Sequence, residues 1–193
     1  SVFGTVTKTA VATGAELVAY SGFSSSNYLA QPYNSVLDFG TGDFSIACWV
    51  KQDSSSTGRI MDREGGTNDN YLIIFTSSGA ISISTKDGGA SINLSAPTSP
   101  FGVWQFVTVV RSGGILHLYI DGASAVTPVA NTHNVTNTIA PLFLGIRTNL
   151  ASPFSVGSLA NFRISATAPT PEQIKKMYND EKHLFSTNAK ATL

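Results

Sequence analysis

Short β-prone segments separated by glycine-containing turns recur along this chain, and no other feature constrains its fold as much. In residues 44–51 one set of alternate positions is strongly apolar: Phe44, Ile46, Cys48 and Val50. A period of two residues is the pattern of a strand that buries one face. Residues 104–111 are apolar on both faces, which is typical of a central strand that is covered on both sides.

Two pairs of segments, each joined by a short connection that contains glycine, predict β-hairpins: 71–76 with 80–85, and 104–111 with 115–120. Glycine tolerates the positive φ that tight hairpin turns require. The arm 71–76 is mainly apolar, so we expect it to be well covered. In 80–85, Ile81 and Ile83 alternate with serines, so we expect this arm to be half exposed.

Residues 142–147 and 156–165 are two further predicted strands. In the second of these segments the alternation places four apolar residues on one side: Val156, Ala160, Phe162 and Ile164. Many short strands separated by turns favour two packed antiparallel sheets. The sequence therefore predicts an all-β sandwich.

The end of the chain changes from strand to helix patterning. Thr170-Pro-Glu-Gln173 combines an N-cap threonine, a proline at the first helical position and a glutamine that can close a capping box. Three residues at helical spacing form one apolar stripe: Ile174, Met177 and Tyr178. We expect this stripe to pack on the sandwich and the charged residues between to face water: Lys175, Lys176, Asp180 and Glu181.

Composition excludes several kinds of partner. The 193 residues carry twelve basic and twelve acidic side chains, which gives no electrostatic footprint for nucleic acid. No apolar run reaches the roughly 18 residues that span a bilayer, so we expect no membrane insertion. Cys48 is the only cysteine, and its place in a strand pattern indicates a small buried hydrophobic residue. We expect one domain over residues 1–185 and, in residues 186–193, a linker to a further region of a larger protein.

Several motifs follow one another in a specific order: Leu37-Asp-Phe, Gly42-Asp-Phe-Ser-Ile-Ala-Cys-Trp, Trp104-Gln-Phe-Val, Leu116-His-Leu-Tyr-Ile-Asp-Gly, Pro141-Leu-Phe-Leu-Gly and Phe162-Arg-Ile-Ser. Together with the closing Thr-Pro-Glu-Gln-Ile helix start, this order resembles the laminin-G-like domains of the concanavalin A-like lectin/glucanase superfamily. The resemblance covers about residues 28–178. It implies a concanavalin A-like jelly-roll sandwich with one short C-terminal helix.

Two terminal segments are similar to a narrower group. Gly14–Tyr20 and Met177–Phe185 resemble laminin-G-like domains of bacteriophage tail proteins or other virion proteins. This resemblance implies a bacteriophage particle, with the domain extracellular when it functions and part of a homo-oligomeric assembly. A route through the bacterial cytoplasm agrees with a single cysteine.

Catalysis is not expected. Glucanases of this superfamily carry a Glu-x-Asp-x-x-Glu run on one strand, because two carboxyl groups must flank the glycosidic bond, and the sequence lacks this run. The nearest approach is Asp62-Arg-Glu64, which we interpret as a solvated pair in a loop. The histidines have neither metal-ligand nor triad spacing. Glycoside hydrolysis is kept as a second alternative.

Binding of host-surface carbohydrate is the leading hypothesis, with protein contacts to other virion subunits as the rival structural role. Sugar sites combine aromatic faces with planar polar groups, and five such residues lie in or beside predicted loops: Asn68, Asn70, Tyr71, Arg147 and Asn149. Trp49 lies opposite the core face of its strand, where it could serve a ligand or pack beneath a covering loop.

A structural calcium ion is a further question that the resemblance raises, since many relatives hold one through acidic side chains and carbonyls. Three residues could supply oxygen ligands: Asp62, Asp69 and Asn70. Against this, the position before the final strand motif, where relatives often have an acidic residue, is Ala160-Asn161. We therefore assign no metal ligand and expect no cofactor.

Overall fold

The computed structural model describes residues 1–11, 16–65 and 68–186, with residues 68 and 69 described by their backbone only. Gly14 and Ala15 of the opening segment and residues 187–193 of the expected linker lie outside the described residues. The described strands are β1 (Val2–Phe3), β2 (Thr7–Ala10), β3 (Val18–Ser21), β4 (Tyr28–Gln31), β5 (Phe44–Gln52), β6 (Gly58–Gly65), β7 (Asn68–Ser77), β8 (Ala80–Asp87), β9 (Ala90–Ser95), β10 (Trp104–Ser112), β11 (Ile115–Ile120), β12 (Ala123–Ser124), β13 (Val129–Ala130), β14 (Leu142–Leu144) and β15 (Gly157–Ser165). Helix α1 spans Pro171–Glu181, and two 3-10 helices span Ser35–Leu37 and Lys182–Phe185.

The strands form two antiparallel sheets that pack face to face. Sheet A has the order β1-β4-β14-β6-β7-β8-β9, and sheet B has the order β12-β11-β10-β5-β15-β3-β2, with β13 also paired to β11. The two predicted hairpins are β7-β8 and β10-β11. The prediction of a two-sheet antiparallel sandwich with one C-terminal helix is confirmed. No helix of the described residues is long and apolar enough to cross a membrane.

The main core fills the space between the sheets. The apolar set of β5 faces it from sheet B, as predicted: Phe44, Ile46, Cys48 and Val50. Sheet A contributes Met61, Leu72, Ile74, Ile81 and Ile83. Burial of each such side chain contributes about 1.5–3 kcal/mol to folding. Desolvation raises the pKa of the Cys48 thiol to about 12, so this residue packs as an uncharged hydrophobic group.

Helix α1 begins as the sequence predicts and covers the outer face of sheet B. The Oγ1 of Thr170 accepts from the Gln173 backbone N–H at 3.3 Å, and the Gln173 Oε1 accepts from the Thr170 N–H at 2.8 Å. Ile174 is fully buried in a second apolar cluster, with Met177 and Tyr178 packed against it. The predicted apolar stripe is therefore confirmed.

Glu181 does not face water, so that part of the helix prediction is wrong. Its carboxylate accepts hydrogen bonds from Trp49 Nε1 at 2.7 Å and from Asn161 Nδ2 at 3.1 Å. Both terminal nitrogens of Arg163 also donate to it, at 2.5 and 3.0 Å. Three donor side chains on the outer face of sheet B lie beneath the last turn of α1, and Glu181 accepts hydrogen bonds from each of them.

A β-bulge changes the predicted faces of β15. The pairing of β15 with β5 shifts between Ala160 and Arg163, and Asn161 has a φ of +50°. The extra residue reverses the alternation, so Ala160 lies in the cluster under α1 while Phe162 and Ile164 pack on the main core. Placing Ala160 on the same side as the other two was therefore wrong.

Two other predictions about sheet A need correction. The arm 80–85 is not half exposed, because β8 lies between β7 and β9 and its serines bond to neighbouring strands. Ser82 Oγ lies 2.8 Å from Ser95 Oγ, and Ser84 Oγ donates to the Tyr71 hydroxyl at 3.3 Å. Strand β14 is shorter than predicted because Gly145 follows it with a φ of +82°.

Candidate functional site

The outer face of sheet A is the side of this sheet that points away from the main core. One row of paired residues crosses it from β14 to β9: Phe143, Asp62, Ile73, Ser84 and Asn93. The neighbouring pair Leu144 and Met61 instead points into the core. Because side chains alternate along each strand, this row defines which residues a ligand on the outer face could meet.

A cavity of about 290 Å³ opens on this face, and we name it the sheet A groove. Its lining combines rings with polar groups: Arg59, Tyr71, Phe75, Ser84, Asn93 and Ser152. The connection after β14 forms one wall, where Arg59 N–H donates to the Ser152 carbonyl at 3.0 Å. A Cβ on Gly58 would lie 2.8 Å from the Phe154 Cα, so glycine is needed for this wall to approach β6 closely.

Arg59 lines the groove and lies beside the buried Asp62. Arg59 Nε lies 3.2 Å from Asp62 Oδ2, and the Asp62 side chain is 0% exposed. Desolvation raises the pKa of Asp62 to about 6; the Glu64 charge also raises it, while the Arg59 and Arg147 charges lower it. The Thr148 N–H donates to Asp62 Oδ1 at 3.4 Å. Asp62 is therefore a buried carboxyl held between two strands and a loop.

The Arg59 guanidinium stacks over the Phe75 ring, with 5.2 Å between its central carbon and the ring centroid. A cation over an aromatic face is attracted by about 0.5–2 kcal/mol. Asn93 is exposed, and its side-chain amide makes no hydrogen bond within the described residues. The groove therefore offers a stacked cation and a planar amide.

Tyr71 lies in strand β7, in agreement with the predicted strand arm 71–76. Its hydroxyl lies 3.2 Å from Ser91 Oγ and accepts from Ser84 Oγ at 3.3 Å, and the Lys86 ammonium lies 6.0 Å from the ring centroid. These contacts hold the ring at the edge of the groove.

Asp62 and Glu64 are not a solvated loop pair, which corrects the interpretation of that motif. Both lie in β6. Glu64 accepts from Arg147 Nε at 2.9 Å and from Arg147 Nη2 at 2.8 Å, and this hydrogen bonding raises the pKa of Arg147. Arg147 and Glu64 therefore form a bidentate ion pair, in which both carboxylate oxygens of Glu64 accept a hydrogen bond from Arg147.

The described asparagine side chains predicted to bind a ligand do not lie together in one site. Asn70 Oδ1 accepts from the Gly88 N–H at 3.2 Å, at the turn between β8 and β9. Asn149 Oδ1 accepts from the Ala151 N–H at 3.1 Å within an exposed loop. The side chain of Asn68 lies outside the described residues. Of the five predicted loop residues, the structure brings Tyr71 and Arg147 to the outer face of sheet A.

Trp49 is the sixth predicted ligand residue, and the structure places it under α1. It is 2% exposed, and its ring stacks on Phe185 with centroids 4.0 Å apart. The indole N–H of Trp49 also donates a hydrogen bond to Glu181. Trp49 therefore cannot present its ring to a ligand in solution. The alternative of packing beneath a covering segment is the one that the structure shows.

The calcium candidates do not converge in the described residues. Asp62 pairs with Ile73 of β7, three residues from Asn70, and its nearest charged groups include the Arg59 and Arg147 cations. The described residues contain no group of three or more His, Cys, Asp or Glu side chains that could hold a metal ion. The Asp69 side chain lies outside the described residues.

Two other cavities provide a less suitable lining. One of about 460 Å³ opens beside β1 and β4 and is lined mainly by apolar residues, including Leu29, Leu142 and Phe162. Another of about 370 Å³ lies on sheet B beside Trp104, where Lys51 is paired with Asp53 at 3.4 Å. A binding site needs polar groups that can fix the orientation of a ligand, and the sheet A groove combines such groups with the aromatic rings of Tyr71 and Phe75.

Arg59, Phe75 and Asn93 were not identified from the sequence. For Phe75 a signal was present, because the alternation of residues 71, 73 and 75 places the side chains of Tyr71, Ile73 and Phe75 on one face of a strand. The face on which Arg59 lies could not be predicted from alternation, because the register of β6 shifts between Arg59 and Met61. Its position opposite Phe75 follows from the pairing of two strands and not from its sequence neighbours.

Two antiparallel sheets with a core between them define an antiparallel β-sandwich, and the groove lies on the outer face of one sheet. Residues 23–175 match a laminin-G-like family model described as the concanavalin A-like lectin/glucanases superfamily. The chain belongs to this superfamily, as its motif order indicated. A comparison with curated protein sequences gave no match.

Solved structures with the same fold include binding domains of botulinum neurotoxins. The receptor-binding domain of the C/D mosaic serotype has a TM-score of 0.75 and 16% identity, and the match covers 94% of this chain and 46% of that chain. The serotype D binding domain gives a TM-score of 0.74 and 17% identity, with the same two coverages. The DC binding domain in complex with SialylT gives a TM-score of 0.70 and 15% identity, covering 93% and 46%. The chain therefore spans about half the length of these structures, and the likeness shows the fold.

Proposed function

We propose that this chain is a non-catalytic recognition module that binds host-surface carbohydrate in the sheet A groove, as part of a bacteriophage virion appendage. The observation that carries this proposal is the lining of the groove. Tyr71 and Phe75 supply aromatic rings, while Arg59 and Asn93 supply planar donors. Sugar rings stack their apolar faces on aromatic side chains and fix their hydroxyls with such polar groups.

The fold supports a binding role. The similar structures are binding domains of neurotoxins, and one of them is in complex with SialylT. Outer sheet faces of this architecture can support many functions, so the lining must decide between them. In this chain the lining offers a mixed aromatic and polar surface and no exposed acid pair.

The contacts of the two carboxylates support a non-catalytic role. Retaining hydrolysis needs two carboxyl groups about 5 Å apart on either side of the scissile bond, both able to reach it. Asp62 is buried against Arg59, and Glu64 is bound by both nitrogens of Arg147. Neither side chain is positioned to act on a sugar in the groove.

The virion setting rests on the sequence resemblance of the terminal segments. Met177–Phe185 forms the end of α1 and the following 3-10 helix, and this segment resembles laminin-G-like domains of bacteriophage tail and other virion proteins. We propose that the domain is displayed outside the host cell on a homo-oligomeric appendage. Imaging of the intact particle with a domain-specific antibody fragment would locate it.

A glycan array followed by titration calorimetry tests the binding role. The purified domain is applied to bacterial surface oligosaccharides, and Phe75→Ala is compared with Phe101→Ala. Phe101 is an exposed ring near the β7-β8 turn and outside the groove. We expect Phe75→Ala to weaken binding roughly tenfold and Phe101→Ala to leave it unchanged.

Two results would contradict this proposal. Absence of glycan binding, together with binding to purified virion subunits, would favour the structural role. Reproducible hydrolysis of an oligosaccharide by pure protein, lost in Asp62→Ala and Glu64→Ala, would favour the glycoside hydrolase.

A further inference from the structure

We propose that Arg59 binds the carboxylate of an acidic sugar, so that the sheet A groove selects carboxylate-bearing glycans over neutral ones. This inference rests on the proposed carbohydrate-binding function and names the class of ligand. It depends on how Arg59 differs from every other arginine in the chain.

The chain has five arginines, and four of them donate side-chain hydrogen bonds to protein acceptors, although the Nε atoms of Arg63 and Arg163 make none. Arg63 donates to the Val135 and Asn137 carbonyls and to Asp38. Arg111 donates to the carbonyls of Gly40, Gly42 and His133. Arg147 and Arg163 each donate two hydrogen bonds to one glutamate. In each case the protein itself supplies the acceptors.

Arg59 is the exception. Its guanidinium donates no hydrogen bond within the described residues, although a guanidinium carries five N–H donors. Nε lies 3.2 Å from Asp62 Oδ2, but the two atoms are not aligned for a hydrogen bond. The side chain is 17% exposed and lines the groove. Buried polar groups normally have partners, so these donors are suited to an acceptor that enters the groove.

The position of this guanidinium is fixed without using its donors. Phe75 holds it by stacking at 5.2 Å, and the Arg59 backbone is anchored by its N–H bond to Ser152. The planar guanidinium of Arg59 can donate two parallel hydrogen bonds to the two oxygens of a carboxylate. Because the group is already held in place, it loses little rotational freedom on binding.

The order of the charges around the groove also matters for an anion. Two cations on the outer face of sheet A, Arg59 and Arg147, lie against the two carboxyl groups Asp62 and Glu64. Glu64 is already neutralised by Arg147. Asp62 is fully buried behind Arg59, so an incoming anion meets the guanidinium before it meets the carboxyl.

The remaining lining indicates a sugar acid and not a simple anion. Asn93 has a side-chain amide without a hydrogen-bond partner in the described residues, and Tyr71 lines the same groove with an aromatic ring and a hydroxyl. The volume of about 290 Å³ lies at the small end of ligand pockets. A single acidic sugar residue, with its carboxylate on Arg59 and its hydroxyls toward Asn93, uses each of these groups.

Titration calorimetry on matched ligand pairs tests this inference. The probes are trigalacturonic acid and sialyllactose, each compared with its carboxyl-reduced form. We expect each carboxylate form to bind roughly tenfold more tightly than its reduced form. Arg59→Gln should abolish this preference, and Lys8→Gln should retain it, because Lys8 lies over the Tyr20 ring at 5.8 Å on sheet B.

The outcomes separate the inference from the proposed function. Equal binding of the acidic and reduced forms overturns the carboxylate site and leaves carbohydrate recognition standing. Retention of the preference in folded Arg59→Gln overturns the role of Arg59. If glycans of every class fail to bind, the proposed function itself is wrong. The wild-type comparison decides the ligand class even if Arg59→Gln does not fold.

Discussion

Arg59 and Asp62 face each other across 3.2 Å in strand β6, yet neither Arg59 Nε nor Asp62 Oδ2 takes part in an aligned hydrogen bond. The Arg59 guanidinium lies over the Phe75 ring, with its central carbon 5.2 Å from the ring centroid. The buried carboxyl therefore supplies charge beneath Arg59 without using its donors. This arrangement gives the groove a cation that is held in place and still able to bind.

Asp62 should make folding stability depend on pH. Its pKa is raised from 3.8 to about 6, so between these values the folded protein binds more protons than the unfolded chain. Its contribution to stability therefore decreases as pH rises from about 4 to 6. A shift of this size corresponds to about 3 kcal/mol at most.

Asp62→Asn removes this titration. We expect the variant to gain stability relative to wild type by about 1–3 kcal/mol between pH 4.5 and 7, as measured by urea unfolding at each pH. Taking the difference between the two proteins cancels the other carboxyl groups, including Asp38, whose pKa is lowered. A difference that does not change with pH would show that Asp62 titrates normally.

Glu181 should be important for the attachment of α1. Removing its carboxylate in Glu181→Ala leaves Trp49 Nε1 and the Arg163 guanidinium without their acceptor. Because an unsatisfied, partly buried donor is costly, we expect a loss of about 2 kcal/mol, together with a change in Trp49 fluorescence.

The matched control is Asp180→Ala, one residue earlier on the same helix. Asp180 pairs with Lys176 at 2.5 Å on an exposed surface, and such i,i+4 pairs contribute only about 0.3–0.5 kcal/mol. Equal losses in the two variants would mean that Glu181 acts as an ordinary surface charge.

Gly145 should tolerate no side chain. A Cβ at this position would lie 2.1 Å from Phe23 Cδ1, and φ is +82°. Gly145→Ala must therefore displace a buried ring and also accept an unfavourable backbone conformation, so we expect a loss of about 3 kcal/mol or more in chemical denaturation.

Gly88→Ala separates these two causes. Gly88 also has a positive φ, of +53°, but apart from its chain neighbours no atom lies within 4 Å of the position that a Cβ would take. We expect this variant to lose about 1 kcal/mol, which is the backbone contribution alone. Similar losses at both glycines would mean that Phe23 adjusts at little cost.

The features that could be predicted correctly from the sequence depend on local signals. The alternation from Phe44 to Val50 defined the core face of β5, and the Thr170 capping box defined the start of α1, because each depends on residues adjacent in the chain. Glu181 was misplaced for the opposite reason. Its partners Trp49 and Arg163 come from other strands, and helical spacing contains no information about them.

The candidate site was only partly predictable. Tyr71 was identified by its residue type, and Arg147 by its place near a loop, but the groove depends on how β6, β7, β8 and β9 align. The register shift at Arg59 and the bulge at Asn161 cannot be inferred from alternation alone. The groove can therefore be identified only from the pairing of these strands.

The most direct test of carbohydrate binding in the sheet A groove is an NMR titration of the isotopically labelled domain with trigalacturonic acid. If a sugar binds in this groove, the backbone amides along one face of β7 to β9, including those of Tyr71, Phe75 and Asn93, should show saturable shifts. Amides of α1, such as Ile174 and Met177, should stay unchanged. Shifts confined to α1 or to the cavity beside Trp104, with the groove amides unaffected, would contradict carbohydrate binding in the groove.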